Sequence, residues 1–297
     1  MGESPPRVNE ISNYKSIFRD PARKATLQWA VGLLREREVQ WDDFDNPQEP
    51  HLAILGDARM GKSMAVKTML IQLLRANTPR WLELVLIDPS DTHSKFATVA
   101  HLQDWLTVNN PTQGVQPVHF DPERFASQFV NIICRSRDEL FVRQGLAPKQ
   151  QALSPKRLII IEEAHSIVRV LERSTNHELL ERYREAFARL VSEGPSVGIH
   201  LVVISTDPSV RVIPAEHRNS FRRIALRHQN KRASSFAIGN RKLTTLSSWS
   251  KGLGIYRNGV EESWCQGFDS LETGLHPDVP KLKKPTSKYA VPLCEHE

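Results

Sequence analysis

The stretch LAILGDARMGKSMAVKTML, residues 52–70, passes from a short apolar run through Gly56 and Gly61 into an apolar segment with helical spacing. Gly56, Asp57, Ala58, Arg59, Met60, Gly61, Lys62 and Ser63 satisfy G-x-x-x-x-G-K-[ST] in full, and Met64 follows. Chemistry explains the pattern. Glycines let the backbone curl so that its N–H groups converge on phosphate oxygens. Lys62 is placed to reach the β- and γ-phosphates, and the Ser63 hydroxyl to hold Mg²⁺. The positive end of the following helix adds to the field. A chance loop match is the competing reading, and the flanking strand–helix pattern argues against it. Residues 56–64 are therefore the expected binding site for ATP and Mg²⁺.

Hydrolysis also needs acids at the end of a neighbouring strand. The segment KRLIIIEEAHS, residues 156–166, is the most apolar strand pattern in the chain and ends in two glutamates. Glu162 is expected to hold the Mg²⁺ shell, and Glu163 to orient and polarise the attacking water. The usual metal-side residue is Asp, one methylene shorter. The competing reading is a solvent-facing strand end.

Working outward, DPARKATLQWAVGLLREREV (residues 20–39) reads as a helix, with Asp20 as N-cap, Pro21 in the first turn and Ala25, Trp29, Leu33 and Leu34 at helical spacing. An acidic loop, WDDFDNPQEP, follows. Strands are expected at residues 82–89, 116–122, 156–166, in GIHLVVIST and in FRRIALRH. Helices are expected in PERFASQFVNIICRSRDELFVRQ and HELLERYREAFARLVSEG, and a hairpin turning at Asn258-Gly259. Alternating strands and helices predict an α/β fold of P-loop NTPase, RecA-like type, a mainly parallel sheet with helices on both faces. The expected division is a segment 1–48 with one helix, an ATPase domain 49–275 and a flexible basic tail 276–297.

The 297 residues are 39% hydrophobic and 25% charged, ordinary for a globular chain. No run of about 18 apolar residues occurs, so no membrane span is expected. The N-terminus lacks the apolar core of a secretory signal. Three widely spaced cysteines offer neither a disulfide framework nor a zinc site, which fits a cytoplasmic protein. The net charge is +6, but residues 211–257 hold eleven Lys and Arg against the single acid Glu216. That block carries +10 and the remainder −4. Such a block suits a polyanion or phosphates at a subunit interface; a solvated basic face is the alternative.

Several segments together resemble the FtsK/SpoIIIE family of hexameric DNA-translocating ATPases: PHLAILGDARMGKS, LELVLIDPSDTHSKFATVAHL, LIIIEEAHSIV, VGIHLVVISTDPSVRVI, NSFRRIALR and LGIYRNGVEESWCQGF. The resemblance covers roughly Pro50 to Phe268. It implies an ATPase coupled to movement of double-stranded DNA, acting as a homo-oligomer, a hexameric ring. Thr206 occupies the sensor turn where the family carries Gln. An arginine acting in trans on the neighbour's γ-phosphate is implied, with Arg222 and Arg223 as candidates; salt bridging or exposure is the alternative. Pore loops after the acid-ending strand are also implied. VRVLERSTNHE, residues 168–178, is the expected loop, with Arg169 and Arg173 on DNA phosphates. His165 is near enough to Glu163 to approach the γ-phosphate, though packing or solvation is the simpler reading. With no membrane-anchoring region and no clear C-terminal winged-helix module in the sequence, the expectation is a DNA-pumping motor of a plasmid, phage or mobile element, or an accessory ATPase, rather than a septal chromosome-segregation protein. A protein-secretion ATPase of the same superfamily, or a nucleotide-dependent switch with little hydrolysis, are the alternatives.

Overall fold

The computed structural model describes residues 27–34, 39–107, 121–209, 211–246 and 251–267. Ten strands form a single sheet in the order β2-β1-β10-β9-β8-β3-β7-β6-β4-β5. They are β1 Gln28–Leu33, β2 Val39–Asp43, β3 His51–Leu55, β4 Leu82–Asp88, β5 Leu102–Thr107, β6 Lys156–Ile161, β7 Ile199–Ser205, β8 Phe221–Leu226, β9 Leu253–Asn258 and β10 Glu261–Gly267. From β8 to β5 every pairing is parallel; from β8 to β2 every pairing is antiparallel.

The parallel strands are apolar on both faces, as helix-covered strands must be. On β6, Ile159 and Ile161 enter one core layer, while Leu158 and Ile160 enter the other. The first layer lies under α2 (Pro122–Gln144), α4 (Ala164–Arg173) and α5 (His177–Glu193), and the second under α1 (Lys62–Ala76). Burying one such Leu or Ile side chain contributes roughly 1.5–3 kcal/mol. Of two short helices, α6 (Lys231–Ile238) adds Ala237 and Ile238 to the first layer, while α3 (Pro148–Leu153) buries no residue. The N-cap of α2 is Asp121, whose side chain accepts from the N–H groups of Glu123 and Arg124, with Pro122 in the first turn.

The helix expected over residues 20–39 is not what residues 27–34 form. They make β1, paired with β2 on one side and β10 on the other. Trp29 and Val31 are two apart and bury together with Phe44 against α1, which is a strand period rather than a helical one. Register shifts between Ala30 and Gly32, and the Gln72 side chain of α1 bonds both Ala30 N and Ala30 O, at 2.8 and 3.0 Å. At Gly32 a Cβ would sit 2.3 Å from Gln266 O, so the close approach of β10 requires glycine. Part of the expected acidic loop is β2, so the sheet draws strands from both sides of residue 49. Residues 116–120 of another expected strand and the tail 276–297 lie outside the described residues.

Candidate nucleotide site

The glycine loop joins the carboxyl end of β3 to α1, whose first residue is Lys62. It continues the ladder on both flanks: Gly56 N donates to Ser205 O at 3.3 Å and Asp57 N to Arg227 O at 2.9 Å. At Gly56 a Cβ would approach Leu226 Cβ to 2.8 Å. Gly61 has φ +107°, open to glycine at little cost, and a Cβ there would crowd Gly252 N. Gly252 N also donates to Met60 O at 2.9 Å, pinning the loop to the start of β9.

Among the described residues three non-glycine residues have left-handed backbone: Arg59, Asp91 and Glu163. They follow β3, β4 and β6, at the same edge of the parallel sheet. This conformation costs an L-residue roughly 1–2 kcal/mol, and such strain gathers at functional sites. Ligands of open α/β sheets bind at this carboxyl edge. A cleft of about 420 Å³ opens there, lined by Arg59, Lys62, Ser63 and Glu163 together with Tyr256 and Cys265.

Lys62 is buried, and its Nζ donates to Gly56 O and Asp57 O at 2.9 and 3.0 Å. Burial pulls its ammonium below the usual lysine range, opposed by the charges of Glu163, Glu162 and Asp57. Burial likewise pushes the Glu163 carboxyl up; Lys62 opposes this, while Glu162 and Asp88 add to it. A carboxylate raised in this way is a better proton acceptor near neutral pH. His165 Nε2 lies 3.0 Å from Thr206 Oγ1, and His165 Nδ1 lies 3.4 Å from Glu163 Oε2.

Three features were not legible in the sequence. His93 Nε2 meets Glu162 Oε1 at 2.6 Å, and both residues are buried. Asp88 Oδ2 accepts from His93 N at 2.6 Å. Asp57 accepts from Gln229 N at 2.8 Å and lies 3.3 Å from the buried ring of His228, whose proton affinity burial lowers and Asp57 partly restores. Asp88 ends β4, and its place near Glu162 depends on the β4–β6 pairing.

The chemistry of the donors fits Mg²⁺. The Ser63 hydroxyl and the Glu162 carboxylate are hard oxygens, and Asp88 Oδ1 is buried with no partner among the described residues. Among these residues no three side chains form a metal cage. Mg²⁺ at nucleotide sites is held by one or two protein oxygens together with phosphates, so a cage is not required.

Other expected residues fall elsewhere. Arg222 is 1% exposed, paired within the chain to Asp42 and stacked over Phe44, so it cannot reach a neighbouring subunit. Arg223 is half-buried, and its guanidinium donates to Arg218 O at 2.8 Å and Ala237 O at 3.4 Å. Both lie at the amino end of β8, opposite the cleft. The expected loop 168–178 is mostly helical: α4 runs to Arg173 and α5 begins at His177. Arg169 and Arg173 are exposed on α4 because the stripe Ala164, Ile167, Val168 and Leu171 faces the core.

The same fold occurs in the cytoplasmic domain of the Thermomonospora curvata type VII secretion ATPase EccC. The TM-score is 0.63 at 18% identity, over 86% of this chain and 30% of that one. It occurs also in the pCW3 conjugation coupling protein TcpA with ATPγS, with TM-score 0.62 at 17% identity, over 91% of this chain and 70% of that one. The fold is that of the P-loop ATPases, α/β with a mostly parallel sheet. Residues 17–136 match the FtsK/SpoIIIE family. DNA translocase FtsK of Treponema pallidum (strain Nichols) is 30% identical over 220 residues, 71% of this chain and 26% of that protein. DNA translocase FtsK of Chlamydia trachomatis serovar D is 26% identical over 246 residues, 76% of this chain and 29% of that protein. The chain thus carries an FtsK/SpoIIIE-like domain and spans between a quarter and a third of these relatives' length. Among the described residues no helix is long and apolar enough to cross a membrane.

Proposed function

We propose that the chain is an ATP-hydrolysing motor that moves double-stranded DNA, working as a ring of identical subunits in the cytoplasm. The observation that carries this reading is the shared cleft of Lys62, Ser63 and Glu163, with Glu162 one residue before Glu163 at the end of β6. Lys62 neutralises phosphate charge and orients the terminal phosphoryl group. Glu163 accepts a proton from the attacking water. Ser63 and Glu162 would hold Mg²⁺, which would supply positive charge to offset the negative charge developing on the phosphates. Loss of the general base costs typically about 10²–10⁴-fold in rate.

Support for DNA as the cargo comes from the names of the relatives at 26–30% identity and from the basic block 211–257. The likeness to a secretion ATPase is one of fold alone. With Arg222 removed from the trans role, exposed basic residues of the same block, such as Lys231, Arg232 and Arg241, are better placed to meet a neighbour. The experiment is ATP turnover of the whole chain with and without duplex DNA, at concentrations where it oligomerises. DNA-stimulated turnover supports the motor. Turnover indifferent to DNA favours a protein-moving ATPase, and nucleotide binding without turnover favours a switch.

A further inference from the structure

Glu162 is buried at the end of β6, a strand flanked on both sides, and its carboxylate would be costly there without a partner. The partner comes from a different strand connection. After β4 the chain turns through Asp91, which has left-handed backbone, and places His93 at the start of the short turn Ser94–Phe96. Asp88 fixes that turn by accepting from His93 N, and the His93 ring packs tilted beside Phe96 at 6.3 Å. The ring is completely buried, and its Nε2 points at Glu162 Oε1.

The geometry points to His93 as the residue that positions Glu162 for the metal–nucleotide complex. This rests on the nucleotide reading of the cleft. An Nε2–H donated to Oε1 fixes the carboxylate rotamer and leaves Oε2 as the oxygen able to enter the shell of a cation. The tether also accounts for glutamate at this position. Aspartate is one methylene shorter, so its carboxylate falls short of His93 by roughly one carbon–carbon bond length. Two elements, β4 and β6, are thereby coupled at the point where the cation would sit, and His93 acts through Glu162 without touching the nucleotide itself. Partners of this kind typically alter metal affinity or activity about 10–100-fold when removed.

The test compares the parent with His93→Ala, His93→Gln, Glu162→Asp and the double variant His93→Ala/Glu162→Asp. Mn²⁺ binding is read by electron paramagnetic resonance in the presence of ADP, and nucleotide affinity is read separately in EDTA. His93→Ala should weaken Mn²⁺ binding about tenfold or more, leave affinity in EDTA unchanged and lower kcat with little change in KM. His93→Gln, which keeps a donor, should recover part of the loss. The double variant should be no worse than the poorer single one, because both remove the same contact. Unchanged Mn²⁺ binding in His93→Ala, or losses that multiply in the double variant, would overturn the assignment. If His93→Ala is poorly folded by thermal melting, His93→Gln and Glu162→Asp carry the comparison: equal Mn²⁺ affinity in parent and Glu162→Asp also overturns it. A parent that binds no nucleotide in EDTA or with metal sinks the nucleotide reading instead, which is a separate outcome.

Discussion

The Thr206 hydroxyl lies 3.0 Å from His165 Nε2, so the end of β7 is joined to the first turn of α4 beside Glu163. Burial lowers the proton affinity of His165; Arg169 lowers it further, Asp207 opposes, and Lys62 lowers it again. A neutral ring has one N–H and one lone pair, so it can bond the Thr206 hydroxyl while its Nδ1 faces the Glu163 carboxylate at 3.4 Å. His165→Ala should lower turnover about tenfold, equivalent to roughly 1.4 kcal/mol of barrier, with nucleotide affinity unchanged. Thr206→Val should act in the same direction and more weakly. Steady-state kinetics beside equilibrium nucleotide binding checks both, and a change confined to binding counts against the link.

Lys62→Ala should lose nucleotide affinity, because the cleft loses its buried cation. Glu163→Gln should bind nucleotide as the parent does and turn over at least about a hundredfold more slowly. Should Glu162→Gln abolish turnover while Glu163→Gln remains active, the two roles are exchanged.

Asp42 is the acceptor for three buried donors: Arg222, Trp29 Nε1 at 2.8 Å and Tyr256 Oη at 2.7 Å. Removing one member of a buried pair leaves an uncompensated charge and costs about 3–5 kcal/mol. Asp42→Ala should lower Tm by roughly 10 °C on the usual size scaling. Arg222→Met, which removes the cation and keeps volume, should cost much less in the Asp42→Ala background than in the parent. Differential scanning calorimetry of the cycle decides it.

Buried His51 and His200 both have pKa values pulled down to about 3, chiefly by burial. His51 Nε2 meets Val191 O at 3.0 Å and its Nδ1 accepts from Leu201 N at 3.0 Å, a pattern only the neutral ring satisfies. The unfolded chain binds these protons near pH 6.5. Stability is therefore fully present above that pH and falls as pH drops from about 6.5 toward 3, with a slope of up to about 1.4 kcal/mol per pH unit per ring. Denaturant unfolding at pH 7.5, 6 and 5 should follow this trend, and His200→Asn should flatten it.

If Arg169 and Arg173 grip DNA phosphates from exposed positions on α4, their double replacement by Ala should weaken duplex binding, reduce its salt dependence and spare basal nucleotide binding. Fluorescence anisotropy at two salt concentrations reads this. An unchanged salt slope moves the contact to other basic residues, such as Lys231 and Arg232.

The central fold was legible because its signals are local. The glycine loop, the apolar run ending at Glu162 and the helices 122–144 and 177–193 each carry their periodicity within one segment. Trp29 misled because Ala25, Trp29 and Leu33 satisfy a helical period, while the pairing of β1 with β10 joins residues more than 230 positions apart. Arg222 misled for the same reason: its partner Asp42 lies 180 residues away. The loop expected at 168–178 differs, since Ala164, Ile167, Val168 and Leu171 recur at helical spacing within the segment itself, and that local signal, not the family resemblance, sets its structure. Glu162 and Glu163 were readable as acids, but His93 becomes their neighbour only through the turn after β4.

The hairpin of β1 and β2 decides where this chain can be cut. A fragment starting at residue 49 would look complete by its motifs, keeping every residue of the phosphate loop. It would nonetheless strip Trp29 and Phe44 from the layer over α1, release both bonds of Gln72, bare the β10 edge and leave the Arg222 guanidinium buried without its carboxylate. Any transplant of this domain into another protein, and any assay that sets it beside a relative, has to carry the hairpin along as part of the same unit.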